Sequence, residues 1–321
     1  MRIGFHSSQL GLRGTEIAMY DYAKYNRELL GNESVIIYPT ESVNNDINVK
    51  IKFTKQFSLY GYHDFQDINN ICDMVNLDAV YFIKEGNNDG QLSNRKNLIH
   101  AVFQMYQPHG DRYAYVSRWL SEHMTNIVKQ PTLYVPHMVI LPEPTSDFRN
   151  LWNIPKDALV IGRYGGYNEF DLDYVKEAVI EYVNTNTNCY FVFVNTLNFV
   201  NHPRVLFLPS IVNLQEKSNF INTCDAMIHA RKIGETFGLA ICEFLYGNKP
   251  VFAFNGGKDR HHCVVLDDVN LLYNNKSEVI SKFDMLADGT YKSMDCKQLV
   301  DKFSPSNVMK RFNDVFLKDL L

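Results

Sequence analysis

Short apolar runs alternate with helical patterns along the chain, and this alternation limits the fold more than any other feature of the sequence. In the first half, a helix is predicted from about Thr15 to Leu30. The strand candidates of this half are Arg2 to Phe5, Val35 to Tyr38, Ala79 to Ile83, Leu98 to Phe103 and Tyr113 to Val116. Strands that alternate with helices usually pair in parallel, with helices on both faces of the sheet. The sequence therefore predicts an α/β fold.

A second α/β half follows a proline-rich stretch. Five of the 11 prolines lie between positions 131 and 155, a density that suits neither a helix nor a central strand. The later segments are strands at Leu159 to Gly162, Cys189 to Val194, Val205 to Leu208, Ala226 to His229 and Pro250 to Phe254, with helices near Asp173 to Asn184 and Leu214 to Asn222. We interpret the prolines as a linker between an N-terminal domain, residues 1–140, and a C-terminal domain, residues 150–305.

The last segment is predicted to be a helix, residues 306–321, that starts after Ser304 and Pro305. Its apolar face carries Val308, Phe312 and Phe316 and must be covered by another part of the protein. The pattern alone leaves open which half covers it.

Charge and cysteine content exclude several classes of protein. The net charge is −4, from 32 basic and 36 acidic residues, which argues against nucleic acid as a partner. Six scattered cysteines without a Cys-x-x-Cys pair indicate reduced thiols. The sequence has no run of about 18 apolar residues, so no transmembrane segment is expected. We expect a cytoplasmic protein, and peripheral membrane contact stays open.

The stretch GETFGLAICE, residues 234–243, carries the strongest functional signal. It lies between a strand ending at His229 and a helix predicted from Gly238 to Tyr246, so it is expected at the carboxyl edge of the second sheet. A helix N-terminus there offers free N–H groups to phosphate. Glu235 and Glu243 would repel phosphate but suit hydroxyl groups. A nucleotide-sugar matches this arrangement, because it has a diphosphate in its middle and hydroxyl-bearing groups at both ends. A solvated pair of glutamates is the plain alternative.

This stretch resembles the E-x7-E signature of the retaining family-4 glycosyltransferases, which have the GT-B fold of two Rossmann-like domains that face each other across a cleft. Supporting likenesses are VIGRYGG, YAYVSRWLSEH, YVPHMV, LGLRGTEIAMYDYAKYN and FSPSNVMKRFNDVF, so the resemblance covers nearly the whole chain. It implies that the last helix returns to the N-terminal domain. It also implies transfer of a sugar from a nucleoside-diphosphate sugar to a glycan or lipid-linked acceptor, with retention and without a metal or other cofactor.

The resemblance also implies roles for individual residues. Glu235 would contact the donor sugar, Glu243 the ribose, and Arg163 the diphosphate. The backbone N–H groups that would hold phosphate or sugar oxygens are those of Phe237, Gly238 and Leu239.

One departure from the family pattern concerns the diphosphate. Members of the family carry a lysine about five residues after the arginine, whereas this chain has Asn168, Glu169 and Phe170 in that region. Arg231 or Lys232 could supply the missing cation. If neither does, the protein could be a catalytically degenerate nucleotide-sugar binder, which is the alternative reading.

In the first half, His100 lies in an apolar strand pattern, where a histidine is commonly a satisfied core residue. The resemblance favours a role for His100 at the reacting centre, with His109 and His6 as rivals. Gly14, before the first helix, could receive a donor phosphate or an acceptor, or could simply form a turn. His261, His262 and Cys263 are too close in sequence to converge on one ion, so no metal site is expected.

Overall fold

The computed structural model describes residues 1–267 and 270–320, which form two compact units. Unit 1 runs from Met1 to Met138 and takes up the chain again from Phe303. Unit 2 is Val139–Lys302. The proline-rich residues 131–155 contain no helix or extended strand, in keeping with the missing donors and restricted backbone of proline.

Unit 1 contains six strands and four helices in its first 128 residues. Its elements are β1 (Arg2–His6), α1 (Gly14–Glu28), β2 (Glu33–Pro39), α2 (Ile47–Thr54), β3 (Leu59–Tyr62), α3 (Asp67–Met74), β4 (Ala79–Lys84), β5 (Lys96–Ala101), β6 (Arg112–Tyr115) and α4 (Arg118–Val128). The six strands pair in parallel in the order β3-β2-β1-β4-β5-β6. This order is that of a doubly wound dinucleotide-binding sheet, in which the direction of winding reverses between β1 and β4.

Unit 2 repeats the same plan. Its elements are β7 (Leu159–Tyr164), α5 (Asp173–Thr185), β8 (Cys189–Val194), β9 (Val205–Leu208), α6 (Leu214–Thr223), β10 (Ala226–His229), β11 (Gly234–Glu235), α7 (Leu239–Tyr246), β12 (Val251–Phe254), β13 (Asp259–Arg260), α8 (His261–Leu266), β14 (Leu272–Tyr273) and α9 (Lys276–Ala287). The main sheet is parallel, with the order β14-β12-β10-β7-β8-β9. Counted from its own first strand, this order is the same as in unit 1, and the winding reverses between β7 and β10.

The last helix belongs to unit 1. α10 (Pro305–Phe312) continues as a π-helical turn over Asn313–Leu317, and the predicted final position, 321, lies outside the described residues. The Phe312 ring stacks on Tyr22 of α1, at 5.4 Å between centroids, and Phe316 packs edge-on against Tyr81 of β4. Burial of this aromatic face stabilises unit 1.

The predicted strands match the structure in type, and the differences are at their ends. The strand predicted over Leu98 to Phe103 is Lys96–Ala101, because Phe103 has turned outward and is 42% exposed. The helix predicted to stop at Gly247 does so, but the left-handed residue that follows it is Asn248, with φ of 56°. Gly247 is needed for space instead, since a β-carbon there would lie 2.6 Å from Ile221.

A small parallel pair, β11 with β13, joins the two loops that follow β10 and β12. Gly234 has φ of 81°, and a β-carbon at this position would lie 1.9 Å from the carbonyl oxygen of Asp259. Backbone cannot move away from backbone without breaking the pair. Glycine at position 234 is therefore required by both conformation and space.

We predict that Gly234→Ala lowers the free energy of unfolding of unit 2 by about 3 kcal/mol or more. Gly289→Ala is the matched control, because Gly289 has φ of 85° but its nearest neighbour is the flexible end of Lys292. The control should cost only about 1 kcal/mol. Urea unfolding followed by circular dichroism measures both, and equal losses would contradict the packing argument.

Candidate active site

The topology of unit 2 directs attention to the carboxyl ends of β7 and β10. These strands are neighbours, and the winding of the sheet reverses between them, so the loops that follow them diverge and leave a crevice. The two loops are residues 165–172, after Tyr164, and residues 230–238, after His229. The polar groups of these loops form the candidate site.

Glu235 lies at the centre of the site. Its Oε1 accepts a hydrogen bond from His229 Nε2 at 3.0 Å, and its Oε2 accepts one from Arg231 Nη1 at 3.0 Å. Burial opposes ionisation of the carboxyl group, but the hydrogen bond and charge of His229 and the charge of Arg231 outweigh it and lower the pKa of Glu235 to about 2. Glu235 is thus held as a carboxylate, which accepts hydrogen bonds and does not supply a proton at neutral pH.

Arg231 bridges the two loops. Besides Glu235, its guanidinium contacts Glu169 of the first loop, at 2.8 Å from Nη2 to Oε1. Glu169 also accepts a hydrogen bond from Gly166 N through its Oε2, at 3.2 Å. Glu169 lies in the region where the sequence lacks a lysine. Its carboxylate contacts Arg231, which belongs to the other loop. Of the two cations proposed to compensate, Arg231 is the one whose side chain lies in the site.

The Lys232 backbone completes the connection between the loops. Lys232 N donates to Asp171 Oδ1 at 2.6 Å, while Asp171 N donates to Ala230 O at 3.0 Å. The side chain of Lys232 belongs to an exposed residue. These two bonds hold the end of the first loop against the start of the second.

Arg163, on β7, is 3% exposed. Its Nη1 donates to Asn195 O and Thr196 Oγ1, and its Nη2 donates to Gly166 O at 2.9 Å. Burial lowers the pKa of Arg163 to about 10, and the charges of Glu169 and Glu235 oppose that effect, so the arginine stays protonated beside them. Its present hydrogen bonds shape the first loop, and direct contact with a diphosphate stays a prediction.

The N-terminus of α7 opens at the same place. Gly238 is its N-cap, with φ of 84° and no side-chain cap, and a β-carbon there would lie 3.2 Å from Glu235 Cβ. The first N–H groups of a helix, here from Leu239, have no intrahelical acceptor. Just before them, Phe237 is buried, and its carbonyl oxygen accepts a hydrogen bond from His261 Nδ1 at 2.6 Å. The position suits an anion or an oxygen-rich group.

Glu243 occupies a different environment from Glu235. It is 3% exposed, and both of its carboxylate oxygens contact Lys217 Nζ, at 2.9 Å and 3.1 Å. Lys217 belongs to α6 and also lies over the Tyr164 ring, 5.3 Å from its centroid. The pair therefore joins α7 to α6. The predicted contact of Glu243 with a ribose remains untested.

His100 and Gly14 lie in unit 1. His100 is fully buried: its Nδ1 accepts from Tyr81 OH at 2.6 Å, and its Nε2 donates to Val135 O at 2.8 Å. Burial lowers its pKa to about 4, so the ring is neutral. These contacts are those of a core histidine, and a catalytic role for His100, which stays a prediction, would require it to exchange them. Gly14 is the exposed first residue of α1.

The rival histidines of unit 1 have partners too. His6 Nε2 contacts Tyr62 OH at 2.8 Å, and burial lowers the pKa of His6 to about 3. His109 Nδ1 donates to Gln107 O at 2.7 Å in its turn. Within residues 1–267 and 270–320, no three His, Cys, Asp or Glu side chains are grouped so that they could hold a metal ion.

Three residues of unit 2 were not predicted from the sequence as site residues. His229 and Glu169 contact Glu235 and Arg231, and Lys217 contacts Glu243. His229 could have been found, because it is the last residue of a predicted strand next to the glutamate loop. Lys217 gives no such signal, since a lysine in a polar helix is ordinarily solvated.

Comparison with known proteins identifies the fold. No protein-family model matches the chain, and no curated protein matches it in sequence. Among solved structures, Anabaena HepE in complex with UDP and glucose matches with a TM-score of 0.72 at 13% identity over 98% of both chains. A glycosyltransferase from Rickettsia africae ESF-5 matches with a TM-score of 0.69 at 14% identity over 99% of both chains. A putative UDP-N-acetylglucosamine 2-epimerase from Listeria monocytogenes matches with a TM-score of 0.62 at 14% identity, over 97% of this chain and 94% of the other.

These likenesses confirm the predicted GT-B fold class, with its two parallel six-stranded sheets. At such low identity they define the fold and leave the chemistry to be argued from the site. Among the residues that the structure describes, no helix is both long and apolar enough to cross a membrane.

We predict that the ionised form of Glu235 stabilises the protein in a pH-dependent way. Its carboxyl group titrates near 4.5 when unfolded and near 2 when folded, so the stabilisation is complete above about pH 5 and declines as the pH falls from 4.5 toward 2. Urea unfolding of wild type and Glu235→Gln at pH 7 and pH 3 should show the wild type losing about 2 kcal/mol more. Glu177→Gln, an exposed change in the same unit, should follow the wild type.

We predict that Lys217→Met destabilises unit 2 by about 3 kcal/mol, because it leaves the buried Glu243 carboxylate without its cation. The double variant Lys217→Met/Glu243→Leu removes both charges and should recover most of that loss. Thermal and urea unfolding of the single and double variants test this. If the loss in the double variant equalled the sum of the losses of Lys217→Met and Glu243→Leu measured alone, the pair would not be energetically coupled.

Proposed function

We propose that this protein is a retaining glycosyltransferase that moves a sugar from a nucleoside-diphosphate sugar to a hydroxyl of a glycan or lipid-linked acceptor. The GT-B fold supports the proposal, because HepE of the same fold was solved with UDP and glucose. The observation that carries it is the environment of Glu235. A carboxylate, two arginines and a helix N-terminus meet at the crevice of unit 2.

Glu235 is proposed to grip the donor sugar. Each of its oxygens accepts one hydrogen bond inside the protein, from His229 or Arg231, and a carboxylate oxygen can accept more than one. The remaining lone pairs suit sugar hydroxyls. Because the carboxylate is held by two donors, it is better suited to positioning the sugar and to stabilising positive charge at the anomeric carbon than to attacking that carbon. We therefore expect attack by the acceptor on the face that the diphosphate leaves.

The cations and the helix N-terminus are proposed to hold the diphosphate. Arg163 and Arg231 lie beside Glu235, and the backbone N–H groups of Gly238 and Leu239, with that of Phe237, belong to residues at the N-terminus of α7. As the bond to the sugar breaks, negative charge grows on the leaving diphosphate, and these groups stabilise it without reorganisation. Lys232 is the further cation of this loop. Two fixed arginines would supply the charge that a metal ion supplies elsewhere, so no metal is proposed.

Glu243 is proposed to contribute to ribose binding through its pair with Lys217. The pair is buried, so a ribose hydroxyl would reach the carboxylate only by sharing it with the ammonium group. This arrangement gives the ribose a rigid acceptor. In unit 1, His100 and Gly14 are proposed to contribute to the donor or acceptor side, His100 only after exchange of its present hydrogen bonds.

A catalytically degenerate nucleotide-sugar binder is the second candidate. It is favoured by one observation: Arg231, the cation that contacts the first loop from the second, already has two carboxylate partners, Glu169 and Glu235. If both contacts persist with a donor bound, the leaving group would be poorly stabilised. Tight donor binding without release of nucleoside diphosphate would be the result.

A panel of nucleotide-sugars and acceptors separates these functions. Thermal shift identifies the donor, release of nucleoside diphosphate measures turnover, and NMR of the product gives the anomeric configuration. A transferred sugar with the donor's configuration supports the proposal. Binding without turnover on any acceptor supports the second candidate. Conversion of a donor to its epimer without an acceptor would instead indicate an epimerase, the activity for which the Listeria protein is named.

We predict that Glu235→Gln lowers kcat/KM for the donor by about 100-fold or more, because an amide binds hydroxyls more weakly and cannot stabilise positive charge. Glu177→Gln, an exposed change on α5, is the control and should retain wild-type turnover. The measurement is nucleoside diphosphate release with the donor found above. Full activity of Glu235→Gln would remove the basis of the proposal.

A further inference from the structure

The loop after β7 folds back on itself so that one of its own carboxylates lies in the candidate site. Glu169 N donates to Gly166 O at 3.1 Å, which closes a turn, and Glu169 Oε2 accepts from Gly166 N at 3.2 Å. The other oxygen contacts Arg231 Nη2 at 2.8 Å. The carboxylate is thus held by one backbone N–H group and one guanidinium.

These two partners are donors of the kind that bind phosphate. A guanidinium pairs with two oxygens of an anion, and glycine N–H groups in a tight turn approach phosphate closely. Gly166 allows this approach, since a β-carbon at position 166 would lie 2.4 Å from the Glu169 carboxylate. In the structure, the Glu169 carboxylate therefore occupies a small anion site that is lined by Gly166 N and Arg231.

Negative charge opposes the binding of an anion while Glu169 stays in place. Arg231 already contacts two carboxylates, those of Glu169 and Glu235, and Asp171 lies in the first of the two loops. A diphosphate would add about two negative charges beside these acidic groups. If Glu169 turned away, Arg231 would gain a vacant donor and the repulsion would fall.

Glu169 is free to turn away. Its side chain is 40% exposed, and the neighbouring Tyr167 is 53% exposed, so rotation of the carboxylate into water requires no change in the core. The rest of the loop would stay in place, because Arg163 binds Gly166 O and Asp171 binds Lys232 N.

We propose that Glu169 is an internal anion that fills a phosphate subsite formed by Gly166 N–H and Arg231, and that a diphosphate group binds by displacing it. The identity of the ligand rests on the proposed function; the subsite itself rests on the contacts of Glu169. The exchange makes the subsite selective. A singly charged anion gains too little to replace a carboxylate that is covalently part of the loop, whereas a diphosphate gains contacts to Arg231, Gly166 N and the mouth of α7 together.

The experiment measures binding of inorganic pyrophosphate to the full-length protein by isothermal titration calorimetry. Glu169→Gln should bind pyrophosphate about 3- to 10-fold more tightly than wild type, because it removes one competing charge that is partly screened by solvent. Glu169→Ala should do the same, which guards against an effect peculiar to the amide. Glu177→Gln, the same change of charge on α5, should bind as wild type does.

Arg231→Gln places the effect at this subsite. It should weaken pyrophosphate binding, and adding Glu169→Gln to it should give no gain, because both changes act on the same pair. If Glu169→Gln and Glu169→Ala bound pyrophosphate as the wild type does, or more weakly, the proposal would be overturned. Glu169 would then be a residue that positions the Arg231 side chain. No pyrophosphate binding by any variant would overturn the proposal as well.

The result is separable from the fate of the proposed function. Tighter pyrophosphate binding by Glu169→Gln, without turnover of any nucleotide-sugar, would support the displacement of Glu169 and contradict the proposed transferase function. Turnover of a nucleotide-sugar, with no gain in pyrophosphate affinity from Glu169→Gln, would support the transferase function and contradict the displacement of Glu169.

Discussion

The ionised Glu235 carboxylate, held by His229 and Arg231, is the interaction on which the arrangement of the site depends. A charge at this depth is costly unless it is hydrogen-bonded and paired, and its two partners come from the end of β10 and the loop that follows it. Through Arg231, the same charge reaches Glu169 and the loop after β7. The two loops at the reversal of the sheet are thereby joined by polar contacts, and the N-terminus of α7 is placed beside them.

Some buried polar groups outside this site are hydrogen-bonded in the same way and connect packed elements. Lys217 and Glu243 cross-link two helices of unit 2, and His100 connects Tyr81 to the backbone at Val135 in unit 1. A glutamate in a signature motif and a histidine in a strand can thus be structural while they remain candidates for ligand binding. The difference lies in how many of their hydrogen-bonding sites the fold already uses, and Glu235 retains more of them than His100 does.

The alternation of segments was sufficient to predict the α/β fold and most central strands, because strands buried on both faces form continuous apolar runs. Several elements were not predicted, among them α2, β3 and α3 in unit 1, and α9 and β14 in unit 2. They are short or mixed in polarity, and β3 contains Gly61, so their formation depends on the neighbours they pack against. For the candidate site, the motif contains Glu235 and Gly238 and the residues just before it include Arg231, but the motif gave no indication of Lys217.

The sequence by itself determined that two parallel sheets would form and that the glutamate loop would follow a strand and precede a helix, because hydrophobic period and glycine placement act over short distances. The tertiary structure alone decided the partners of each charge. Glu169 and Arg231 are 62 positions apart and Lys217 and Glu243 are 26 apart, yet both pairs are in contact. Such pairing depends on which helices and loops the sheet brings together, and the sign and position of a charge along the chain do not specify it.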